Sequence, residues 1–146
     1  MSVGGLEIKD TLDCQDNMII EAGNNAHALA QKMPVYERVP LTVIDRDQEG
    51  CIRAGLKGET FRGWLYIDVL WVKENMRGQG MGRKLVQAAE AEALKRGCHS
   101  VYLWTQSYQA PNYYSKLGYK EFAVLPDFPI GSTRTGFMKS LKKVAS

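Results

Sequence analysis

The sequence predicts a mixed α/β domain with antiparallel hairpins toward both ends and one parallel crossover. Three observations carry that prediction. Short apolar, β-branched and aromatic runs bounded by turn residues recur from Leu41 to Leu141. Two of them, Trp64–Val72 and Ser100–Gln106, flank a glycine-rich turn and a helical pattern. That order makes a βαβ unit, whose two strands lie parallel. With 146 residues the chain is also long enough to bury a real core, and a single domain over residues 1–146 is expected.

Each element has its own reason. Asp13–Met33 reads as a helix, with Asp13 or Asp16 as its cap, Gly23–Asn25 as a candidate break and Pro34 as its end. Leu41–Arg46 is a strand, Asp47–Gly50 is turn chemistry, and Cys51–Thr60 returns, making a hairpin. After a turn at Phe61–Gly63, Trp64–Val72 is a third strand, apolar enough to suggest that both of its faces are covered. Gly80–Arg96 is a helix with Met81, Leu85, Val86, Ala89 and Ala93 on one stripe, and Gly97 ends it. Ser100–Gln106 is the next strand. A short helix over Ala110–Leu117 follows, with Pro111 in its first turn and Gly118 after it. Tyr119–Leu125 and Thr135–Leu141 close the sheet across a loop at Pro126–Thr133.

Composition excludes several functions. Hydrophobic residues at 45% and charged residues at 24% are ordinary for a soluble globular protein. A net charge of +3 is too mild for a nucleic-acid binder but suits a small anion at a local basic cluster. Neither a secretory signal nor a bilayer-spanning run is found in the sequence, so no membrane partner is expected. Cys14, Cys51 and Cys98 are odd in number and lack CxxC spacing, which argues against a disulfide framework and a zinc site, leaves no metal expected, and suits a reducing cytoplasm.

The most informative stretch is MRGQGMGRKL, Met76 to Leu85, with glycines at 78, 80 and 82. Each glycine costs a helix about 0.8–1 kcal/mol relative to alanine, so a ligand is the natural compensation. A helix start carries four unpartnered N–H groups and a partial positive charge, which phosphate oxygens satisfy. Glycine lets the backbone approach closely, and Arg77, Arg83 and Lys84 add charged donors. The segment is therefore shaped for a pyrophosphate. It is no P-loop, because no Lys-Ser or Lys-Thr follows a glycine. Nor is it a dinucleotide fingerprint: the third glycine is misplaced, and Gln106 stands where an acidic residue is required.

LWVKENMRGQGMGRKL resembles the acetyl-CoA motif of the GNAT superfamily of N-acetyltransferases, Arg/Gln-x-x-Gly-x-Gly/Ala after a strand ending in apolar-x-Val. Arg77, Gly80 and Gly82 match, and Leu70 and Val72 fall at the strand end. Downstream, SYQAPNYYSKLGYKEF is similar to the family's second segment, with Ala110, Tyr114, Gly118 and Tyr119 in register and Ser107 in place of the usual Asn. The resemblance spans about Leu41 to Leu141 and implies a GNAT-like fold, mostly antiparallel and splayed at the cofactor site.

It also implies acetyl-CoA as co-substrate, held by the backbone of Leu70, Trp71 and Val72, by Arg77, Gly78, Gln79, Gly80, Met81, Gly82, Arg83 and Lys84, and by Ser107. The N–H of Leu70 would meet the thioester oxygen, an oxyanion-hole device. An acceptor amine would attack the acetyl carbon directly in a ternary complex. Tyr114 is the candidate general acid for the departing thiolate, since a phenol is protonated at neutral pH. Asp68 is the acidic residue inside the apolar strand, where a charge is costly unless paired or functional. By period-two alternation it shares a face with Tyr66, Leu70 and Val72. A free carboxylate and an ammonium differ by about 6.5 pKa units, roughly 9 kcal/mol. Asp68 therefore acts through water, holds the ammonium, or is structural.

Trp64, Trp71, Trp104 and Tyr66 read mainly as core, with one or two walling the acceptor pocket. Tyr108, Asp127 and Phe128 are candidate acceptor contacts, and the Pro126–Thr133 loop and the N-terminal helical region are expected to shape that pocket. His27 and His99 lack partners at ligand spacing, and Lys139–Lys143 reads as solvated strand and tail. The compact chain favours a primary amine of a small molecule as acceptor. Protein lysines or N-termini, and a non-catalytic acyl-CoA sensor, are the alternatives. Members of the family often pair, so a homodimer is expected.

Overall fold

A computed structural model of the chain describes residues 2–34, 36–108 and 112–141. The chain divides into two compact units, Met1–Tyr36 and Glu37–Ser146.

In the first unit, strands β1 (Ser2–Val3) and β2 (Leu6–Glu7) pair antiparallel. The sequence predicts no strand here, because two-residue strands carry no periodicity. Helix α1 (Cys14–Ala30) follows and runs through Gly23–Asn25 without a break. Its cap is Asp13, whose carboxylate accepts the Asp16 amide at 2.8 Å. No residue of α1 is buried, and Met18, Ile19 and Ile20 are exposed.

The second unit is a six-stranded sheet with a helix on one face. Strands β3 (Val39–Arg46), β4 (Ile52–Phe61) and β5 (Trp64–Val72) form an antiparallel meander. The β3–β4 turn is held by Asp47, whose Oδ1 accepts the amides of Glu49 and Cys51 at 2.9 Å each. Those bonds, from Cys51 first, hold its carboxyl below the usual range. A single 3-10 turn, Glu74–Met76, then leads to helix α2 (Met81–Lys95) and strand β6 (Ser100–Gln106). Strands β5 and β6 pair in parallel, as the crossover predicts. Helix α3 (Tyr113–Lys116) and strands β7 (Lys120–Leu125) and β8 (Arg134–Ser140) complete the order β3-β4-β5-β6-β8-β7. Ala110 and Pro111, expected at the start of the short helix, lie outside the described residues, as do Lys142 and Lys143.

The core lies between α2 and the sheet. Leu85, Val86, Ala89 and Ala93 of α2 meet Leu41, Leu56, Leu65, Ile67, Val101 and Leu103. This is the predicted stripe, with Met81 packed at its edge. The same helix also buries a carboxylate. Glu90 accepts the Tyr119 hydroxyl at 2.7 Å and the Lys139 ammonium at 3.2 Å. Lys139 is thus a partner of a buried acid rather than a solvated side chain, because β8 carries it to α2.

Period-two alternation fails at Asp68. The β4–β5 register steps from Lys57↔Val69 to Gly58↔Ile67, so Asp68 is the extra residue of a bulge. Leu65 and Ile67 face the core before it, and Leu70 and Val72 pack against the core after it. Asp68 therefore does not share a face with Leu70 and Val72. Nor are both faces of β5 covered, since Asp68, Val69 and Trp71 are exposed. Gly58 makes the bulge possible: a Cβ there would overlap the Tyr66 carbonyl oxygen. Among the described residues, no helix is long and apolar enough to cross a membrane.

Candidate active site

Strands β5 and β6 pair only from Trp64↔Ser100 to Ile67↔Leu103. Beyond that point each keeps its outer neighbour. Strand β5 stays on β4 through Ala54↔Val72, and β6 stays on β8 through Gln106↔Arg134. The inner edges therefore part at the bulge. The cavity so formed, about 270 Å³, is lined by residues 67–70 and 103–105 and by Tyr113 and Tyr114.

The open edge of β5 presents its backbone to this gap. The Lys73 amide donates to Arg53 of β4 at 2.8 Å. Alternation along the strand then turns the N–H groups of Val72 and Leu70 to the other side, toward the opening. The Val72 carbonyl lies on that side too, where it accepts Arg77 Nε at 3.0 Å. Arg77 thus ties the glycine turn to the end of the open strand. Trp71 faces outward and is 45% exposed, so it belongs to neither core nor cavity.

Tyr114 stands at the cavity on α3, packed edge-on against Tyr113 at 5.1 Å and Tyr119 at 5.6 Å. Burial, with a smaller contribution from neighbouring Tyr113, pushes its hydroxyl up to about 12. It is therefore protonated throughout the physiological range. Asp68 lines the same cavity from the bulge, and its Oδ1 accepts the Tyr66 hydroxyl at 3.5 Å. Burial and the Asp68 charge both raise the Tyr66 phenol. The sheet break thus brings the two sequence-predicted catalytic residues to one cavity.

The glycine turn has the expected helix start. Gly80 is the N-cap of α2 in the left-handed region, at φ 81°, with no side-chain cap, and Gly78 is at φ 77°. The first bond of the helix is donated by Lys84 to the Gly80 carbonyl at 3.1 Å. The amides of Gly80, Met81, Gly82 and Arg83 therefore have no intrahelical acceptor. Arg83 and Lys84 are exposed on this turn. Gln79 points back to the Asn75 carbonyl at 3.4 Å. Tyr113, which sequence reasoning missed, packs so closely that a Cβ on Gly82 would overlap its hydroxyl. Burial raises that phenol, and Arg83 lowers it in part. The adjacent tyrosines at 113 and 114 were the available signal.

Ser107 is not brought to the cavity. Its hydroxyl bonds Ser132 Oγ at 2.8 Å and accepts the Thr133 amide at 3.2 Å, pinning the 126–133 loop to the end of β6. Trp64, Tyr66 and Trp104 are absent from the core and line a groove on the sheet face away from α2. His99 is a surface residue bonded to Ser100 Oγ at 2.9 Å. Among the described residues, the acidic and thiol groups close enough to share an ion are those of Asp47, Glu49 and Cys51, on an ordinary exposed turn.

Known proteins agree with this architecture. The chain is an acetyl-CoA-dependent acetyltransferase. It belongs to the acetyltransferase (GNAT) family, whose model matches residues 35–119. Blasticidin-S acetyltransferase of Streptomyces morookaense is 36% identical over 115 residues, 76% of this chain and 85% of that protein. An acetyltransferase structure from Agrobacterium tumefaciens superposes with a TM-score of 0.79 at 33% identity, covering 92% of this chain and 97% of that one. An aminoglycoside 6'-N-acetyltransferase complexed with coenzyme A shares the fold, with a TM-score of 0.64 at 20% identity over 73% of this chain and 76% of that one.

Proposed function

We propose that this enzyme acetylates a primary amine of a small molecule by direct attack in a ternary complex. The observation that carries the proposal is the parting of β5 and β6 at Ile67/Leu103, with Tyr114 and Asp68 on the walls of the gap. The Leu70 and Val72 amides on the open edge would pair with the pantetheine arm as a further strand would. The amides of Gly80–Arg83, with Arg77, Arg83 and Lys84, would hold the diphosphate. The left-handed Gly80 and the uncapped helix start fit that anion, since a capping side chain would compete for the same amides. Ser107 would act only indirectly, through the loop it pins.

In the reaction, the amine nitrogen bonds to the acetyl carbon and the C–S bond breaks. The Leu70 N–H stabilises the oxyanion, and Tyr114 gives its proton to the thiolate. Asp68 holds the incoming ammonium near the attack path and relays its proton through water. The 36% identical blasticidin-S acetyltransferase supports a small-molecule acceptor. Exposed Met18, Ile19 and Ile20 on α1 support self-association, which light scattering would test as a homodimer.

A thiol-release assay with acetyl-CoA and a panel of amines tests the reading. Turnover with small amines supports it. Turnover confined to peptide lysines or N-termini replaces the acceptor class, and tight acetyl-CoA binding without turnover makes the protein a sensor.

A further inference from the structure

The groove on the sheet face is larger than the reaction cavity, about 570 Å³, and is walled by Phe61, Trp64, Tyr66, Tyr102, Trp104 and Phe122. Six aromatic rings on one sheet face are not needed for the core of this unit, which lies on the other face. They form a continuous trough. Trp64 meets Tyr102 edge-on at 5.8 Å, Tyr102 lies over Tyr66 at 4.9 Å, and Trp104 meets Phe122 at 5.4 Å. Gly136 of β8 is its floor: a Cβ there would stand 2.6 Å from the Phe122 ring and 3.0 Å from that of Trp104.

Two features make this trough an extension of the site. Trp104 lines both the groove and the reaction cavity. Tyr66, on the groove wall, donates its hydroxyl to Asp68 in the cavity. At the groove, Arg38 and Arg62 lie over Phe61 at 4.1 and 5.1 Å, and Glu59 pairs with Arg38 at 2.7 Å. Asp68, joined to the groove wall through Tyr66, is the carboxylate on the cavity side and draws a cationic end there.

We infer that the trough Trp64–Tyr66–Tyr102–Trp104–Phe122 takes a flat aromatic or heteroaromatic ring of the acceptor and delivers its amine to Asp68. This rests on amine acetylation at the cavity described above. Ring stacking supplies the preference for flat over saturated rings.

The test uses 2-(2-naphthyl)ethylamine and its ring-saturated analogue, 2-(decahydronaphthalen-2-yl)ethylamine, on the full chain. Calorimetric binding to the protein and kcat/KM with acetyl-CoA are both measured. The naphthyl amine is expected to bind, and to react, about tenfold better than its saturated twin. Tyr102→Leu and Phe122→Leu should each erase that difference while acetyl-CoA binding reports an intact fold. Equal affinity of the two amines, or a preference that persists in both variants, would overturn the inference. If no amine reacts, the proposed function fails, and the calorimetric comparison still decides whether the trough selects flat rings.

Discussion

Tyr114 and Asp68 do opposite things on one cavity. The tyrosine sits in a dry aromatic nest that keeps its proton on, while the aspartate stands on a bulge that keeps it in contact with water. Tyr114→Phe retains the ring, so folding and acetyl-CoA affinity should survive. Steady-state kinetics should show kcat lower by about 10²–10⁴-fold, the usual worth of a general acid. Asp68→Asn should raise the acceptor KM about 10- to 100-fold, as loss of a charged hydrogen bond does, with the acetyl-CoA KM unmoved. Tyr114 also ties stability to pH. A free phenol loses its proton near 10, while the folded one holds it to about 12. Between those values the native state binds more protons than the unfolded state, so stability falls as pH rises. Burial of Tyr119 beside Glu90 acts in the same direction. Denaturant titrations from pH 9 to 12 should show a loss on the order of 2 kcal/mol.

At the scale of elements, the bulge in β5 is what opens the site. Were Asp68 paired in regular alternation instead of bulged, period two would turn Leu70 and Val72 away from the core. The bulge restores their burial and leaves a carboxylate at the gap. Gly58 permits this by leaving room for the Tyr66 carbonyl. Gly58→Ala should therefore cost about 1–3 kcal/mol by urea unfolding, the range for overpacking a tight site. It should also lower kcat more than it weakens acetyl-CoA binding, because the displaced atoms adjoin Asp68 rather than α2. Helix α2 links the glycine turn to the cavity wall. Its start offers free amides, and its middle is tied through Glu90 to Tyr119, which packs on Tyr114.

For the whole molecule, the buried apolar residues among those described all belong to the second unit, beginning at Leu41, and so do both walls of the cavity. A chain reduced to residues 37–146 should therefore keep a cooperative thermal transition and bind acetyl-CoA, as circular dichroism and calorimetry would measure. Loss of the cooperative transition would mean that the first unit contributes to the folded core.

The sequence by itself determined the parallel crossover, the core stripe of α2, the glycine-capped helix start and the family. These are local patterns: strand, turn and helix signals lie within a few residues of one another, and the glycine spacing is read directly. It pointed to Tyr114 only through register with a known motif. Tertiary structure alone decided the rest. The face on which Asp68 stands depends on a bulge whose cause, Gly58, lies on the neighbouring strand. Lys139 met Glu90 across 49 positions, and Ser107 was claimed by a loop 25 residues away. Trp64, Tyr66 and Trp104, which read as core, line a groove instead, because α2 covers only the other face of the sheet. Periodicity reports that a side chain is apolar, and it takes the packed sheet to determine which face will be buried.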